Sequence, residues 1–83
     1  MDKVLVNLFV PSIGARYDVY IPTFLTVGEI SQLLAEILGR LTNHQYASSG
    51  EEFLCSLDKN LLLRQEHTLH DYGVVNGEHL MLC

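Results

Sequence analysis

Residues 68–82 read TLHDYGVVNGEHLML, and this segment decides the fold that we expect for the whole chain. Leu69 can fill a core beneath a sheet, and the Asp71 carboxylate can accept backbone N–H groups at a turn. Tyr72 can pack its ring while its hydroxyl reaches a backbone group. Gly77 follows an asparagine and supplies a turn that needs positive φ. The segment therefore predicts a structured turn that leads directly into a last strand.

The remainder of the chain predicts the order β-β-α-β-β-β. Apolar residues that alternate with polar ones favour half-buried strands, and a turn that contains Gly14 joins the first two strands as a hairpin. The polar stretch 44–50 predicts an exposed loop. The strands that we expect are Lys3–Val10, Arg16–Ile21, Glu52–Leu57, Leu61–Arg64 and Glu78–Cys83.

The single helix is marked at its start by Thr26-Val27-Gly28-Glu29, which match a capping box. Near its end, Asn43 is of a type that terminates helices in the left-handed conformation. Apolar residues at helical spacing predict a stripe that faces the core. That stripe contains Val27, Ile30, Leu34, Ile37, Leu38 and Leu41 and is widened by Leu33. The residues expected to face away from it are Ser31, Gln32, Glu36 and Arg40.

The chain has 83 residues, of which 48% are hydrophobic. This length suits one domain, which we expect to cover 1–83. A core this small is built from one layer against another, such as a helix on a sheet. We therefore expect the α+β class, with a β-sheet packed on one long helix.

The element order and the segment Thr68–Val74, followed by Leu80 and Leu82, resemble the ubiquitin-like β-grasp fold and its T-L-x-D-Y-x-[IV] segment. The resemblance implies a mixed β-sheet of four to five strands. The run Tyr72–Leu80 is similar to a narrower pattern, G-[IV]-x-[ND]-G-[DE]-x-L. That pattern ends the domain in the YukD/EsaB family, whose members are small ubiquitin-like proteins of the type VII (WXG100/ESX) secretion system in Gram-positive bacteria. It also closes the ubiquitin-like N-terminal domain of the mycobacterial EccD membrane proteins.

The resemblance implies a non-enzymatic protein-interaction module. Its expected role is that of a cytoplasmic accessory or regulatory component of a type VII secretion system. Its partners would be cytosolic domains of the membrane-bound secretion machinery, and a homodimer is a further possibility. One alternative is a ubiquitin-like modifier or sulfur carrier, and another is a ubiquitin-like regulatory module outside secretion.

The modifier alternative requires a flexible tail that ends in Gly-Gly, since only glycine can thread the narrow channel of an activating enzyme. Residues 80–83 read LMLC and fall inside the predicted last strand. We therefore expect that this chain is not conjugated to targets.

Charge and hydropathy narrow the classes of partner. Ten acidic residues against five basic ones give a formal net charge of −5. The basic residues are scattered, so neither nucleic acid nor an anionic membrane surface is an expected partner. No window approaches the roughly 18 apolar residues of a membrane span, and we expect no direct membrane insertion.

Cysteine and histidine give no pattern typical of catalysis. Cys55 and Cys83 are too few for a secreted disulfide scaffold or an iron–sulfur cluster, and they fit either two free thiols or one bridge between strands. The histidines lack zinc-ligand spacing. A dyad of Cys55 with His67 or His70 lacks a third orienting group. We expect no enzyme activity, no cofactor and no metal.

Function is then expected to reside on a surface. If Leu80 and Leu82 of the last strand point to the helix, the residues between and beside them point outward. An apolar sheet face that no helix covers is typical of protein interfaces. The residues expected to form this protein-binding face are Leu5, Phe9, Phe53, Cys55, His79, Met81 and Cys83.

Overall fold

The computed structural model, which describes residues 2–83, confirms the predicted order of elements. The elements are β1 (Lys3–Val10), a 3-10 turn (Pro11–Ile13), β2 (Ala15–Pro22), α1 (Val27–Leu41), β3 (Leu54–Ser56), β4 (Leu61–Leu63) and β5 (Glu78–Leu82). β3 and β4 are shorter than the sequence predicts. Beyond the end of β4, the backbone N–H of Arg64 donates to the Tyr72 hydroxyl at 2.9 Å. Arg64 is therefore not part of the strand ladder.

The strands form one mixed sheet in the order β2-β1-β5-β3-β4. β1 and β5 run parallel, whereas the other neighbouring strands are antiparallel. The hairpin turn places Gly14 at φ 61°, a left-handed conformation in which glycine has no steric cost. The parallel pair places the first and last strands side by side within the sheet.

Helix α1 lies on one face of the sheet, which is called the inner face below. On β1, the alternate residues Val4, Val6, Leu8 and Val10 are buried against it, as the period of two predicts. Leu80 and Leu82 of β5 are buried on the same face, which confirms their predicted orientation. The core is therefore a single layer between the helix and the inner face of the sheet.

The capping box at the start of α1 is confirmed. The Thr26 N–H donates to Glu29 Oε1 at 2.9 Å, and the Glu29 N–H donates to Thr26 Oγ1 at 3.2 Å. The hydrogen bond from the Thr26 backbone lowers the pKa of the Glu29 carboxyl. Asn43 takes φ 53° just beyond the helix, as expected of a left-handed terminator.

The predicted buried stripe of α1 is wrong along one side. Leu33, Ile37 and Leu41 are 47%, 52% and 63% exposed. Ser31, which was expected to face away, is buried and donates its hydroxyl to the Val27 carbonyl at 2.9 Å. On that side Ala35 borders a concavity with Tyr46 and Ala47, so the segment that follows the helix packs against it. The larger aliphatic side chains then fall on its flank.

The loop at 44–50 also differs from expectation, because Tyr46 within it is only 7% exposed. Its hydroxyl donates to Glu52 Oε2 at 3.0 Å, and the Ser49 N–H donates to the same oxygen at 3.0 Å. Burial, and then the hydrogen bond to Glu52, raise the pKa of Tyr46 to about 12. A polar sequence therefore forms a loop that is anchored by one buried aromatic ring.

The segment after β4 folds as its sequence predicts. Leu69 is fully buried, and Asp71 Oδ2 accepts the Thr68 N–H at 2.9 Å. Gly77 takes φ 88°, and Asn76 Oδ1 accepts the Leu5 N–H at 2.9 Å. These bonds fix the start of β5 beside β1.

Candidate protein-binding face of the sheet

The outer face of the sheet lies opposite α1, and the structure places all of the predicted binding residues on it. Leu5 and Phe9 occupy the half-buried alternate positions of β1. On β5, His79 is exposed and Met81 is half-buried, between inner-facing neighbours. Phe53 and Cys83 exchange two backbone hydrogen bonds of 2.9 Å, so both extend the same face. Cys55 lies opposite Met81.

The strand register aligns one row of side chains across the whole outer face. Phe9 lies opposite Met81, Met81 opposite Cys55, and Cys55 opposite Leu62. Leu62 is 53% exposed and was missed in the sequence analysis. The signal that could have identified Leu62 is its position next to the inward-facing Leu63, because neighbouring residues of a strand point to opposite faces. We call the set formed by Phe9, Phe53, Cys55, Leu62, Met81 and Cys83 the outer patch.

One end of that row carries a positive charge. Arg16 on β2 lies opposite Phe9, and its guanidinium carbon stands 4.4 Å from the centre of the Phe9 ring. This is a cation–π geometry, which holds the guanidinium flat over the aromatic ring. Arg16 therefore marks the end of the outer patch at the β2 edge.

A second, polar row separates Leu5 from the outer patch. The Asn7 amide donates to Asp18 Oδ1 at 3.2 Å. The His79 N–H donates to Asp58 Oδ2 at 2.8 Å, and the His79 ring Nδ1 lies 3.2 Å from the same carboxylate oxygen. The hydrogen bond from the His79 backbone holds the pKa of the Asp58 carboxyl below its usual value. The structure thus brings five of the seven predicted residues together and leaves two apart, His79 in the polar row and Leu5 beyond it.

The two cysteines of the outer patch are both free thiols. Burial, and then the neighbouring Cys83, raise the pKa of the Cys55 thiol. A raised pKa keeps the sulfur protonated and weakly nucleophilic at neutral pH. Cys55 therefore serves as a small apolar contact on this face.

The histidines elsewhere form local contacts. The His67 ring stands edge-on to Tyr72 at 5.8 Å, and its Nδ1 lies 3.6 Å from Asp71 Oδ2. Within residues 2–83 there is no group of three or more His, Cys, Asp or Glu side chains that could hold a metal ion. Over the same residues, no helix is both long enough and apolar enough to span a bilayer.

Solved structures with the same architecture include domains of secretion proteins. The ubiquitin-like domain of EccD5 from Mycobacterium xenopi matches with a TM-score of 0.79 and 16% identity, over 100% of this chain and 94% of that one. The ubiquitin-like domain of EccD1, a type VII secretion system protein of Mycobacterium tuberculosis, gives 0.65 and 19%, over 99% and 98%. A chain of a MycP5-free ESX-5 inner membrane complex gives 0.79 and 21%, over 100% of this chain and 21% of that one.

The mixed five-stranded sheet, the single capped helix and these structural matches define a ubiquitin-like β-grasp protein. Residues 5–82 match the family model described as WXG100 protein secretion system (Wss), protein YukD. The chain therefore belongs to the YukD family. Among curated protein sequences, none matches it significantly.

Proposed function

We propose that this chain is a non-enzymatic protein-interaction module that acts as a cytoplasmic accessory or regulatory component of a type VII secretion system. It binds cytosolic domains of the membrane-bound machinery through the outer patch, without being conjugated to them. Membership of the YukD family supports the secretion system as its setting. Proteins of type VII secretion systems contain domains of the same fold, which supports the proposal that the partner belongs to this machinery.

The observation that carries the proposal is the continuous row of Phe9, Met81, Cys55 and Leu62 on a sheet face that no element of residues 2–83 covers. Contiguous exposed apolar surface marks interaction sites in folded proteins. Its aromatic and methionine side chains, and the arginine at its margin, are of types enriched in interfaces.

The test is a Met81→Asp variant, because Met81 lies at the centre of the outer patch. Purified wild-type and variant protein are used to capture partners from detergent-solubilised membranes of the native host. The wild type is expected to recover components of the secretion machinery, and the variant to lose them. Val75→Asp, which puts the same charge on an exposed apolar position of a turn, is the control and should capture as well as the wild type.

Thermal unfolding of each variant separates lost binding from lost folding. Leu62→Asp changes a more exposed residue of the same row on an edge strand, and it should weaken capture with little effect on stability. Recovery of the same secretion components by both Met81→Asp and Leu62→Asp would show that the outer patch is not the binding surface. Recovery of no secretion component by the wild type would contradict the proposed setting.

A further inference from the structure

Three sulfur-bearing side chains meet on the outer face of the sheet, where β3 pairs with β5. Cys55 on β3 lies opposite Met81 on β5. Cys83 follows Met81 by two residues, and the two hydrogen bonds of 2.9 Å that it exchanges with Phe53 extend the pairing to it. Residues two apart in a strand point to the same face. Cys55, Met81 and Cys83 are therefore neighbours on one face, and we call them the sulfur trio.

The two thiols of the sulfur trio influence each other. Both cysteines are free, with Cys55 half-buried and Cys83 exposed. Burial raises the pKa of the Cys55 thiol, and the neighbouring Cys83 raises it further. An electrostatic effect of this kind weakens with distance. The two side chains therefore lie near each other and not only on the same face.

The strand register disfavours a direct bridge between the two cysteines. Cys83 lies opposite Phe53, so it is diagonal to Cys55 rather than opposite it. Diagonal neighbours of an antiparallel pair have Cα atoms roughly 7–8 Å apart, whereas the Cα atoms of a disulfide are about 4.4–6.8 Å apart. A metal ion bound by both sulfurs holds them roughly 4 Å apart, about twice the length of an S–S bond. The spacing therefore favours a shared ion over a disulfide.

The chemistry of the three ligands selects the kind of ion. Thiolate and thioether sulfurs are soft ligands, and copper(I) is a soft ion that binds both. Zinc is held by about four ligands in structural sites, which is more than the sulfur trio provides. In residues 2–83, no third His, Cys, Asp or Glu side chain joins the two cysteines to hold a metal. The ligand set therefore fits copper(I) better than zinc.

The surroundings of the sulfur trio are apolar. The residues that lie opposite its members in the neighbouring strands and chain are Phe9, Phe53 and Leu62. Apolar neighbours limit the access of solvent to a bound metal. They also lack the oxygen ligands that Mg²⁺ and Ca²⁺ require. The position therefore excludes hard cations and suits a soft one.

We propose that the sulfur trio is a binding site for one copper(I) ion, with the Cys55 and Cys83 thiolates and the Met81 thioether as its ligands. Each thiol releases its proton to solvent as its sulfur bonds to the ion, and no electron is transferred. The sequence analysis expected no metal, because cysteine and histidine show no ligand spacing along the chain. The pairing of β3 with β5 assembles ligands that are distant in sequence.

The probe is copper(I) itself, added without oxygen to the fully reduced protein in competition with a chromogenic copper(I) chelator. We expect one ion to bind per chain. Amide NMR shifts should change at 53–55 and 81–83, because copper(I) is diamagnetic and acts on its neighbours only. They should stay unchanged at 67–71, where a histidine and an aspartate lie together. X-ray absorption should show sulfur as the neighbour of the ion. Shifts centred on 67–71, or nitrogen and oxygen neighbours, would overturn the proposal.

Variants separate the three-sulfur site from binding by one exposed thiol. Cys55→Ser and Cys83→Ser should each weaken copper(I) binding about a hundredfold or more, and Met81→Leu, which removes the sulfur at similar volume, about tenfold. Val75→Ser changes an exposed apolar residue of a turn and is the control, with the affinity of the wild type. Unchanged affinity in Cys55→Ser would assign binding to Cys83 alone, and unchanged affinity in Met81→Leu would remove the thioether. Either result would overturn the three-sulfur site.

The measurements on the wild type keep the proposal testable if a variant does not fold. Sedimentation with copper(I) then tests whether the ion joins two copies of the chain. We expect a monomer, since all three ligands come from one sheet. A dimer that forms with copper(I) and is lost in Cys83→Ser would assign the ion to a bridge between chains and overturn the proposal. None of these measurements uses a partner protein, so their failure would leave the proposed function intact.

Discussion

The two faces of the sheet differ although they are made by the same strands. On β1, Val6 and Leu8 are buried beneath α1, whereas Asn7 and Phe9, which alternate with them, are half-buried. On β5, Leu80 and Met81 show the same contrast. Hydrophobicity alone does not assign Phe9 and Met81 to a face, because both are as apolar as the core residues. The helix decides which alternate set stabilises the fold and which set is left for recognition.

The largest expected effect comes from the inner side of β5. Leu80→Ala should lower the free energy of unfolding by about 2–5 kcal/mol, because it removes fully buried methyl groups and leaves a cavity. Met81→Ala, one residue away on the outer face, should cost less than about 1.5 kcal/mol. Denaturant unfolding of both variants measures the difference. Equal losses would mean that the outer face is as important for stability as the core.

A buried carboxylate at the start of β5 should give the next largest effect. Glu78 Oε2 accepts the Ser56 hydroxyl at 2.6 Å, and Oε1 lies 3.2 Å from Lys59 Nζ. Glu78→Ala should cost about 1–3 kcal/mol, since it leaves the buried serine without its partner. Glu66→Ala removes an exposed carboxylate 3.7 Å from Arg64 and is the control, with a change of about 0.5 kcal/mol or less. A Glu78 variant as stable as the control would show that this cluster does not hold β3 to β5.

Weakening the start of α1 tests how far the inner face depends on the helix cap. Thr26→Ala should cost about 1 kcal/mol, because the Glu29 N–H loses the acceptor at 3.2 Å. Thr68→Ala, which removes a hydroxyl that accepts the Asp71 N–H at 3.0 Å in a turn, is a control for loss of a threonine outside the helix. Amide hydrogen exchange should rise first in the opening turn of α1 in the Thr26 variant. Exchange that rises uniformly over the sheet would contradict a local role.

An effect that is confined to alkaline pH is expected from the titration of Tyr46. Its folded pKa of about 12 lies above the ordinary value of 10.0, so the stability it contributes is complete below pH 10. That stability is lost as the pH rises from 10 to 12. Tyr46→Phe cannot ionise there, and its free energy of unfolding should fall less than that of the wild type over this interval. Parallel curves for the two proteins would show that the Tyr46–Glu52 bond does not anchor the loop.

Local patterns in the sequence were enough to predict the element order, the helix start and the turn before β5. Thr26 and Glu29 cap a helix through bonds between near neighbours, and Asp71 bonds its own turn, so each leaves a short-range signature. The period of two likewise placed Leu80 and Met81 on opposite faces of β5. Most of the candidate site followed from that period, since facing outward is a property of one strand taken by itself.

Tertiary structure alone decided how the elements lie against each other. The periodicity of α1 defined an apolar stripe but not the rotation that turns Leu33 and Ile37 towards β2, because that rotation depends on which distant segments pack on each side of the helix. The strand register, which aligns Phe9 with Met81 and leaves His79 in a polar row, depends on pairing between residues far apart in the chain. Sequence period fixes positions within an element, whereas packing and long-range pairing determine which of those positions become a surface.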